Sequence, residues 1–204
     1  MNWLAHLLLS KQAINYQIGN LLADPLKGKV WPGCHPLIQE GFKMHGRIDA
    51  FTDSNALVQR SKSRLGKRGY LKGVVIDILY DHFLAKHWER YASVDISTFI
   101  NRFHAEAEKK MLNCPQKAQE FLTRLIRSDL LFSYITLDGI HLALGRMDRR
   151  LSKRILAKET ATGYWSALNE QQYEIEQDFL LFFPQLVSHF KLHARVTAKD
   201  HWLK

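Results

Sequence analysis

The stretch Asp77-Ile78-Leu79-Tyr80-Asp81-His82-Phe83 lies within the strongest helical pattern of the chain, over residues 70–91. Apolar residues on almost every side of this pattern predict a central, buried helix. Asp77 and Asp81 are one turn apart and therefore share a face. Two carboxylates buried there without partners would be costly or would take up protons. The pattern therefore predicts a positive charge between them, and a divalent metal ion is the sharpest candidate.

The same helical face extends in both directions from the acidic pair. It is expected to point into the core, because its other members are apolar or aromatic: Tyr70, Val74, Leu84 and Trp88.

The rest of the chain is also helical in pattern, with no alternating run long enough to build a sheet. Gly and Pro concentrate in the first 73 residues and predict short helices joined by turns there. Further helices are expected at 54–65, 97–112, 116–127, 130–144, 149–159 and 170–195, with Asp53 or Ser54 capping the first, Ser97 or Thr98 capping the second, and a kink at Pro184 in the last. We therefore expect one all-α domain, a helical bundle over residues 1–204.

The charge of the chain limits its partners. It has 204 residues, with 29 Lys and Arg against 20 Asp and Glu, and a formal net charge of +9. Such an excess favours an acidic partner, which can be nucleic acid, an anionic membrane or an acidic protein. Two basic segments stand out, at residues 60–72 and 146–158. Solvated helix surface is the alternative explanation for both.

Cysteine usage and hydropathy bear on the compartment. Cys34 and Cys114 stand far apart in no metal-type or redox-type pattern, which favours a reduced, cytoplasmic setting. The N-terminal residues lack the basic region of a signal peptide. No apolar run is long enough to span a membrane. We expect no membrane partner.

Three further positions carry groups that can do chemistry. His6 lies among apolar residues, where a histidine is more often a core residue than a ligand. Asp24 precedes Pro25 and is expected at a helix end, where a carboxylate faces the negative pole of the helix dipole. His45 and Asp49 are four residues apart and share a helix face. They suit Mn²⁺, Fe²⁺, Zn²⁺ or Mg²⁺, or alternatively form a simple hydrogen bond.

The joint pattern is more informative than any single residue. Candidate ligands dispersed over the first 82 residues of an all-α chain are typical of an HD-type metal-dependent phosphohydrolase: His6, Asp24, His45, Asp49, Asp77, Asp81 and His82. The chain has no serine or cysteine nucleophile elbow and no Gly-rich phosphate loop.

Four ordered segments carry a resemblance to a known family. They are residues 2–7 (NWLAHL), 19–24 (GNLLAD), 44–49 (MHGRID) and 80–84 (YDHFL). Together they resemble the acyl carrier protein phosphodiesterases, also called acyl carrier protein hydrolyases, a distant branch of the HD superfamily. The likeness covers residues 1–91 well and is weaker afterwards.

The resemblance implies an HD-domain-like fold and a hydrolase that uses Mn²⁺, with another divalent metal as the alternative. Its reaction would remove 4′-phosphopantetheine from holo acyl carrier protein and leave the apo carrier. The implied setting is fatty acid biosynthesis, with the acidic carrier protein as partner.

A phosphodiester substrate suggests a role for each candidate, since hydrolysis needs charge neutralisation and an activated water. We expect the metal ligands to be Asp24, His45, Asp77 and Asp81. Asp49 and His82 are candidates for acid–base catalysis or for supporting the ligands. Arg47 is the expected clamp on the phosphate, and His6 is expected in the substrate pocket or as an auxiliary ligand. The carrier is expected to dock on Arg64, Lys67 and Arg68, in the basic segment that precedes the acidic pair.

Two other functions compete with this interpretation. One is an HD-type nucleotide or cyclic-nucleotide phosphohydrolase with a similar metal site. The other is a non-enzymatic basic helical protein that binds nucleic acid or an acidic protein. The second leaves Asp77 and Asp81 unexplained, and no nucleic-acid-binding module is recognisable, so we expect no nucleic acid. The sequence does not indicate an oligomeric state.

Overall fold

The central helix predicted from the sequence is present in the computed structural model, which describes residues 1–204. It forms α5 (Lys72–Lys86), and a short helix, α6 (Trp88–Tyr91), continues it. Tyr70 lies before α5 and is 80% exposed, so its predicted place in the core-facing arc is wrong. Gly66 and Gly69 both have positive φ, which keeps the preceding segment irregular and delays the helix start.

The chain contains eleven α-helices and no strand, which confirms the all-α class. Besides α5 and α6 they are α1 (Trp3–Leu8), α2 (Ile14–Leu22), α3 (Pro36–Ser54), α4 (Ala56–Arg64), α7 (Ile96–Lys110), α8 (Gln116–Arg127), α9 (Leu137–Asp148), α10 (Lys153–Leu156) and α11 (Trp165–Ala194). Short 3₁₀ turns span Met111–Asn113, Phe132–Ile135 and Thr162–Tyr164. None of the helices combines the length and hydropathy that crossing a bilayer requires.

The predicted helix limits are accurate for α8 and less so elsewhere. The cap of α4 is Asn55 rather than Asp53 or Ser54, because α3 continues through Ser54. The cap of α7 is Asp95, whose side chain accepts the Thr98 N–H, rather than Ser97 or Thr98. Segment 130–144 divides into a 3₁₀ turn and α9, and segment 149–159 keeps only the single turn of α10. The last helix begins at Trp165, five residues earlier than predicted, and contains Pro184.

The core is aromatic where α5 meets the long C-terminal helix. Tyr80 lies edge-on to Phe179, with ring centroids 5.3 Å apart, and Phe83 is 5.9 Å from the same ring. Phe179 in turn stacks on Phe183 at 5.2 Å. These rings are fully buried. Burial of each side chain contributes roughly 1.5–3 kcal/mol, so this contact fixes α11 across α5.

Helices α2 and α3 cross in direct backbone contact. A Cβ atom on Gly19 would lie 2.2 Å from the carbonyl oxygen of Ile38, and one on Gly41 would lie 2.3 Å from that of Tyr16. Only glycine fits at either position. The crossing places the C-terminal half of α2 against the middle of α3, where the functional residues of both helices lie.

A buried ion pair joins α4 to α11. The Asp178 side chain is 1% exposed and accepts hydrogen bonds from Nε of Arg60 at 2.7 Å, Nε of Arg64 at 3.0 Å and Oγ of Ser61 at 3.0 Å. Burial by itself would raise the pKa of Asp178, but the two guanidinium groups and Ser61 hold it below its usual value. The charge is therefore well compensated, and α4 is anchored by it.

We predict that Asp178→Asn lowers the free energy of unfolding by about 2–3 kcal/mol, because two arginines lose a charged acceptor. Urea denaturation measures the change. Asp53→Asn is the matched control: Asp53 is 73% exposed and pairs only with Lys62, so its loss should cost less than about 1 kcal/mol.

The same pair has a pH signature. Because the folded-state pKa of Asp178 is depressed, its contribution to stability is present above about pH 4 and is lost as the pH falls further. The stability difference between the wild type and Asp178→Asn should therefore shrink in acid. Equal, small effects of Asp178→Asn and Asp53→Asn at neutral pH would contradict the anchoring role.

Candidate metal centre

Two histidines and a carboxylate converge where α1, α2 and α3 meet. Nε2 of His6 lies 3.2 Å from Oδ1 of Asp49, and Nε2 of His45 lies 3.0 Å from Oδ2 of the same carboxylate. The two imidazole rings stack, with centroids 4.0 Å apart. Asp24, just after α2, adds a second carboxylate whose Oδ1 is 3.1 Å from Nε2 of His45. The structure thus brings together His6, Asp24, His45 and Asp49, which are called the metal group below.

Asn20 holds both imidazoles in one tautomer. Its side-chain amide nitrogen donates to the carbonyl oxygens of His6 and Leu9 and to Oγ of Ser10, so its Oδ1 faces Nδ1 of His6, at 2.9 Å. Its backbone carbonyl accepts from Nδ1 of His45, at 2.7 Å. Because both Nδ1 atoms donate, both Nε2 atoms point at the carboxylates. This is how a partner beyond the ligands orients histidine towards a metal.

The donor set fits a divalent metal ion. One ligand atom from each of His6, His45 and Asp49 lies within 4.8 Å of the others. Two imidazole nitrogens with carboxylate oxygens suit Mn²⁺, Fe²⁺ or Zn²⁺. Without a cation, the lone pairs of both Nε2 atoms would face carboxylate oxygens and be repelled by them. A proton on Nε2 or a metal ion between the side chains supplies the cation that the arrangement requires.

The electrostatics of the two histidines differ. Burial, with the neighbouring His45, lowers the pKa of His6. Burial also acts to lower the pKa of His45, but hydrogen bonds to Asp24 and Asp49 outweigh it and raise that pKa to about 9. The Asp49 pKa is lowered despite burial, because both imidazoles hydrogen-bond to it. The group accordingly stabilises positive charge beside Asp49.

Asp77 lies beside this group and does not contact its imidazoles. Its Oδ1 is 3.1 Å from the amino group of Met1, which is also 3.7 Å from Oδ1 of Asp49. Asp77 thus shares a positive neighbour with Asp49, and its role as a metal ligand stays a prediction. The side chain is 30% exposed and opens into a cavity.

Asp81 is not part of the group, although it shares a face with Asp77. It is fully buried, and its two oxygens accept the backbone N–H groups of Leu4 at 2.8 Å and Ala5 at 3.1 Å. Burial raises its pKa to about 7 against the opposing effect of these bonds. The carboxyl group thus caps the first turn of α1. Its role as a metal ligand stays a prediction, and this geometry favours the structural role.

His82 and Arg47 lie away from the group as well. His82 is buried and its Nδ1 donates to the carbonyl oxygen of Tyr134, at 2.9 Å, behind the cavity wall. Burial lowers its pKa. Arg47 is exposed on α3 and faces His189 on α11, whose pKa is lowered by burial and further by His193 and Arg47. The predicted acid–base role of His82 and the predicted phosphate clamp at Arg47 therefore have no support from position.

A cavity of about 540 Å³ adjoins the metal group. Asp24, Asp77 and Glu120 are its acidic members, and Trp3, Ile78 and Phe121 are among its apolar members. Its basic members are Lys117, Arg124, Arg146 and Arg150. This is the usual size of a small-molecule site, with a few polar groups on an apolar lining.

The residues of the basic segment at 60–72 have different roles. Arg64 is held by Asp178 and is only partly exposed, so it is a structural residue of α4. Lys67 and Arg68 are exposed, in the loop before α5. Val74, in the first turn of α5, already lines the cavity. Of the predicted docking residues, Lys67 and Arg68 are free to meet a partner.

Sequence reasoning assigned no role to two features of the site. Asn20 is part of the segment at residues 19–24. A polar amide within the apolar run of α2 is the signal that indicates a special role for it. In the sequence, Arg146 and Arg150 count only as part of a basic segment. Their spacing of four residues places them on the same side of the C-terminal end of α9. Only tertiary contacts bring them next to Arg124 of α8.

Comparison with known proteins identifies the family of the chain. Residues 1–186 match the sequence profile described as acyl carrier protein phosphodiesterase. A relative of that name from Yersinia pestis is 30% identical over 92% of this chain and 96% of its own length. Another from Pectobacterium atrosepticum is 28% identical over the same shares. No solved structure matches the chain, so an HD-like topology stays a prediction. On these matches, the chain belongs to the acyl carrier protein phosphodiesterase family.

Proposed function

We propose that this protein hydrolyses the phosphodiester that joins 4′-phosphopantetheine to acyl carrier protein, with apo carrier protein and free 4′-phosphopantetheine as products. Membership of the family supports the substrate class. The observation that carries the reaction is the group of His6, His45 and Asp49 beside a cavity of about 540 Å³. We place the reaction in fatty acid biosynthesis. The buried free thiols of Cys34 and Cys114 support a reducing compartment such as the cytoplasm.

The proposed cofactor is Mn²⁺ or a similar divalent ion. His6, His45 and Asp49 would hold it, and Asp24 is close enough to join them. When bound, such an ion lowers the pKa of a water molecule and offsets the negative charge of the phosphodiester. Asn20 keeps both Nε2 atoms directed at the ion, and Asp49 supplies a carboxylate that stays ionised because its pKa is low.

The size of the cavity, about 540 Å³, supports a small substrate group. Asp24 and Asp77, beside the metal group, line it together with the aromatic residues Trp3 and Phe121. A prosthetic arm can enter such a space, whereas the folded carrier must remain outside. The formal net charge of +9 favours an acidic carrier through long-range attraction.

The central test is mass spectrometry of holo carrier protein incubated with the enzyme. With Mn²⁺ present, we expect the carrier to lose the mass of 4′-phosphopantetheine, and the free arm to appear in the small-molecule fraction. Excess chelator should stop the loss, and added Mn²⁺ should restore it. A carrier that keeps its arm at high enzyme concentration with Mn²⁺ would refute the function. Full turnover in chelator would refute the metal.

A pair of substitutions separates the ligand role from the capping role. Asp49→Asn should lose Mn²⁺ binding and reduce kcat at least about 10³-fold, because the ion loses an oxygen ligand. Asp81→Ala should keep Mn²⁺ binding but lower the free energy of unfolding by about 2–3 kcal/mol, because two buried N–H groups lose their acceptor. Metal content by elemental analysis and urea denaturation measure the two effects. Loss of metal with unchanged stability in Asp81→Ala would restore its predicted ligand role.

Charge reversal at the exposed basic loop tests carrier docking. Lys67→Glu with Arg68→Glu should raise KM for holo carrier protein by roughly threefold to tenfold at low salt and leave kcat unchanged, and the effect should fade as ionic strength rises. Lys109→Glu with Lys199→Glu, at two exposed positions outside this loop, makes the same change in net charge and is the control. An unchanged KM in the double variant would exclude this loop as the docking surface.

A further inference from the structure

Three arginines converge on the cavity without acidic partners. Arg124 near the end of α8, Arg146 in the last turn of α9 and Arg150 just beyond it all line the space. No carboxylate oxygen lies within 4.0 Å of any of the three guanidinium groups, although Glu120 lines the same cavity. The three cavity arginines therefore form a cluster of cationic groups without direct ion pairs.

Aromatic rings and a hydroxyl group support these side chains. The Arg124 guanidinium lies over the Phe121 ring, 5.8 Å from its centroid, and that of Arg150 lies 6.0 Å from the centroid of Trp3. Trp3 and Phe121 contact edge to face at 5.3 Å. Such contacts orient a guanidinium without neutralising it, so its N–H groups remain available to a ligand.

Arg146 lies deepest of the three. Its Nη2 donates to Oγ of Ser133 at 3.0 Å, and its side chain is half-buried. Burial lowers the pKa of Arg146 and of Arg150, and the neighbouring guanidinium groups lower that of Arg150 further. Positive groups that are partly desolvated and unpaired make a site for an anion.

We propose that Arg124, Arg146 and Arg150 bind the phosphate group of the 4′-phosphopantetheine arm. This inference rests on the proposed function and adds the anion-recognition element of the same site. Guanidinium groups match phosphate oxygens in paired geometry. The alternative anions are carboxylates on the carrier surface, but Arg146 is set into the wall of a cavity that a folded protein does not enter. The clamp expected at Arg47 is thus reassigned to this cluster.

The arginines share one cavity with residues at the metal group. Asp24, whose Oδ1 is 3.1 Å from Nε2 of His45, and Asp77 line the same space as the arginines. A phosphodiester held by the arginines keeps its negative charge compensated while its apolar arm contacts Trp3, Phe121 and Met147. Recognition of phosphate and of the arm would then come from one wall, built by α1, α8 and α9.

Calorimetric titration of the full chain with two probes, in buffer containing Mn²⁺, tests the proposal. The probes are 4′-phosphopantetheine and pantetheine, which lacks the phosphate. Arg146→Met and Arg150→Met should each weaken 4′-phosphopantetheine binding at least about tenfold and change pantetheine binding less than about twofold. Arg149→Met is the matched control. It removes the same charge from the same helix end, but Arg149 does not line the cavity.

Other outcomes would overturn the assignment. Equal weakening of both probes would show that the arginines act through packing. Unchanged 4′-phosphopantetheine binding with a raised KM for holo carrier would assign them to the carrier surface instead. Arg150 is exposed, so Arg150→Met reports on the site even if Arg146→Met fails to fold. A wild type that does not bind 4′-phosphopantetheine at millimolar concentration would also refute it.

The two assays together distinguish failure of the anion site from failure of the proposed function. If the wild type binds 4′-phosphopantetheine through the arginines but releases none from holo carrier protein, the anion site stands and the reaction fails. If holo carrier protein is cleaved and the arginine variants bind the free arm normally, the reaction stands and the anion site fails.

Discussion

At the crossing of α2 and α3, two glycines let the backbones touch, and the metal group depends on this contact. With a Cβ atom at Gly19 or Gly41 the helices would have to separate, because it would come within 2.2–2.3 Å of a backbone oxygen. At the present separation, the Asn20 carbonyl reaches Nδ1 of His45 and the Asp24 carboxylate reaches Nε2 of the same ring. A shift of one ångström would break both contacts.

Helix α1 is the second element that the site requires, and it is short. Its six residues carry His6 into the metal group and Trp3 into the cavity wall. A helix of this length is not stable alone. Asp81 on α5 accepts its first N–H groups, and Asn20 on α2 binds its His6 side chain and carbonyl. The capping carboxylate therefore acts on the site through the position of α1.

The two aspartates of α5 show how one local pattern can serve two purposes. Asp77 and Asp81 share a face, yet each has its own positive partner. Asp77 contacts an amino group next to the metal group, and Asp81 contacts the positive end of α1. Asp77 opens to the cavity, and Asp81 is sealed in the core.

Much of the fold follows from the sequence alone, because helical periodicity is a local property. The all-α class, the central helix over residues 72–86 and the limits of α8 follow from apolar spacing and helix breakers. The motifs around His6, Asp24, His45 and Asp49 likewise mark the residues that meet. Spacing along one helix, however, does not say what faces it from another. Only the tertiary structure separates Asp81 from the metal group, engages Arg64 with Asp178 and gathers Arg124, Arg146 and Arg150 on one cavity. These outcomes depend on contacts between residues far apart in the sequence, such as Leu4 with Asp81 and Arg64 with Asp178, which no local pattern encodes.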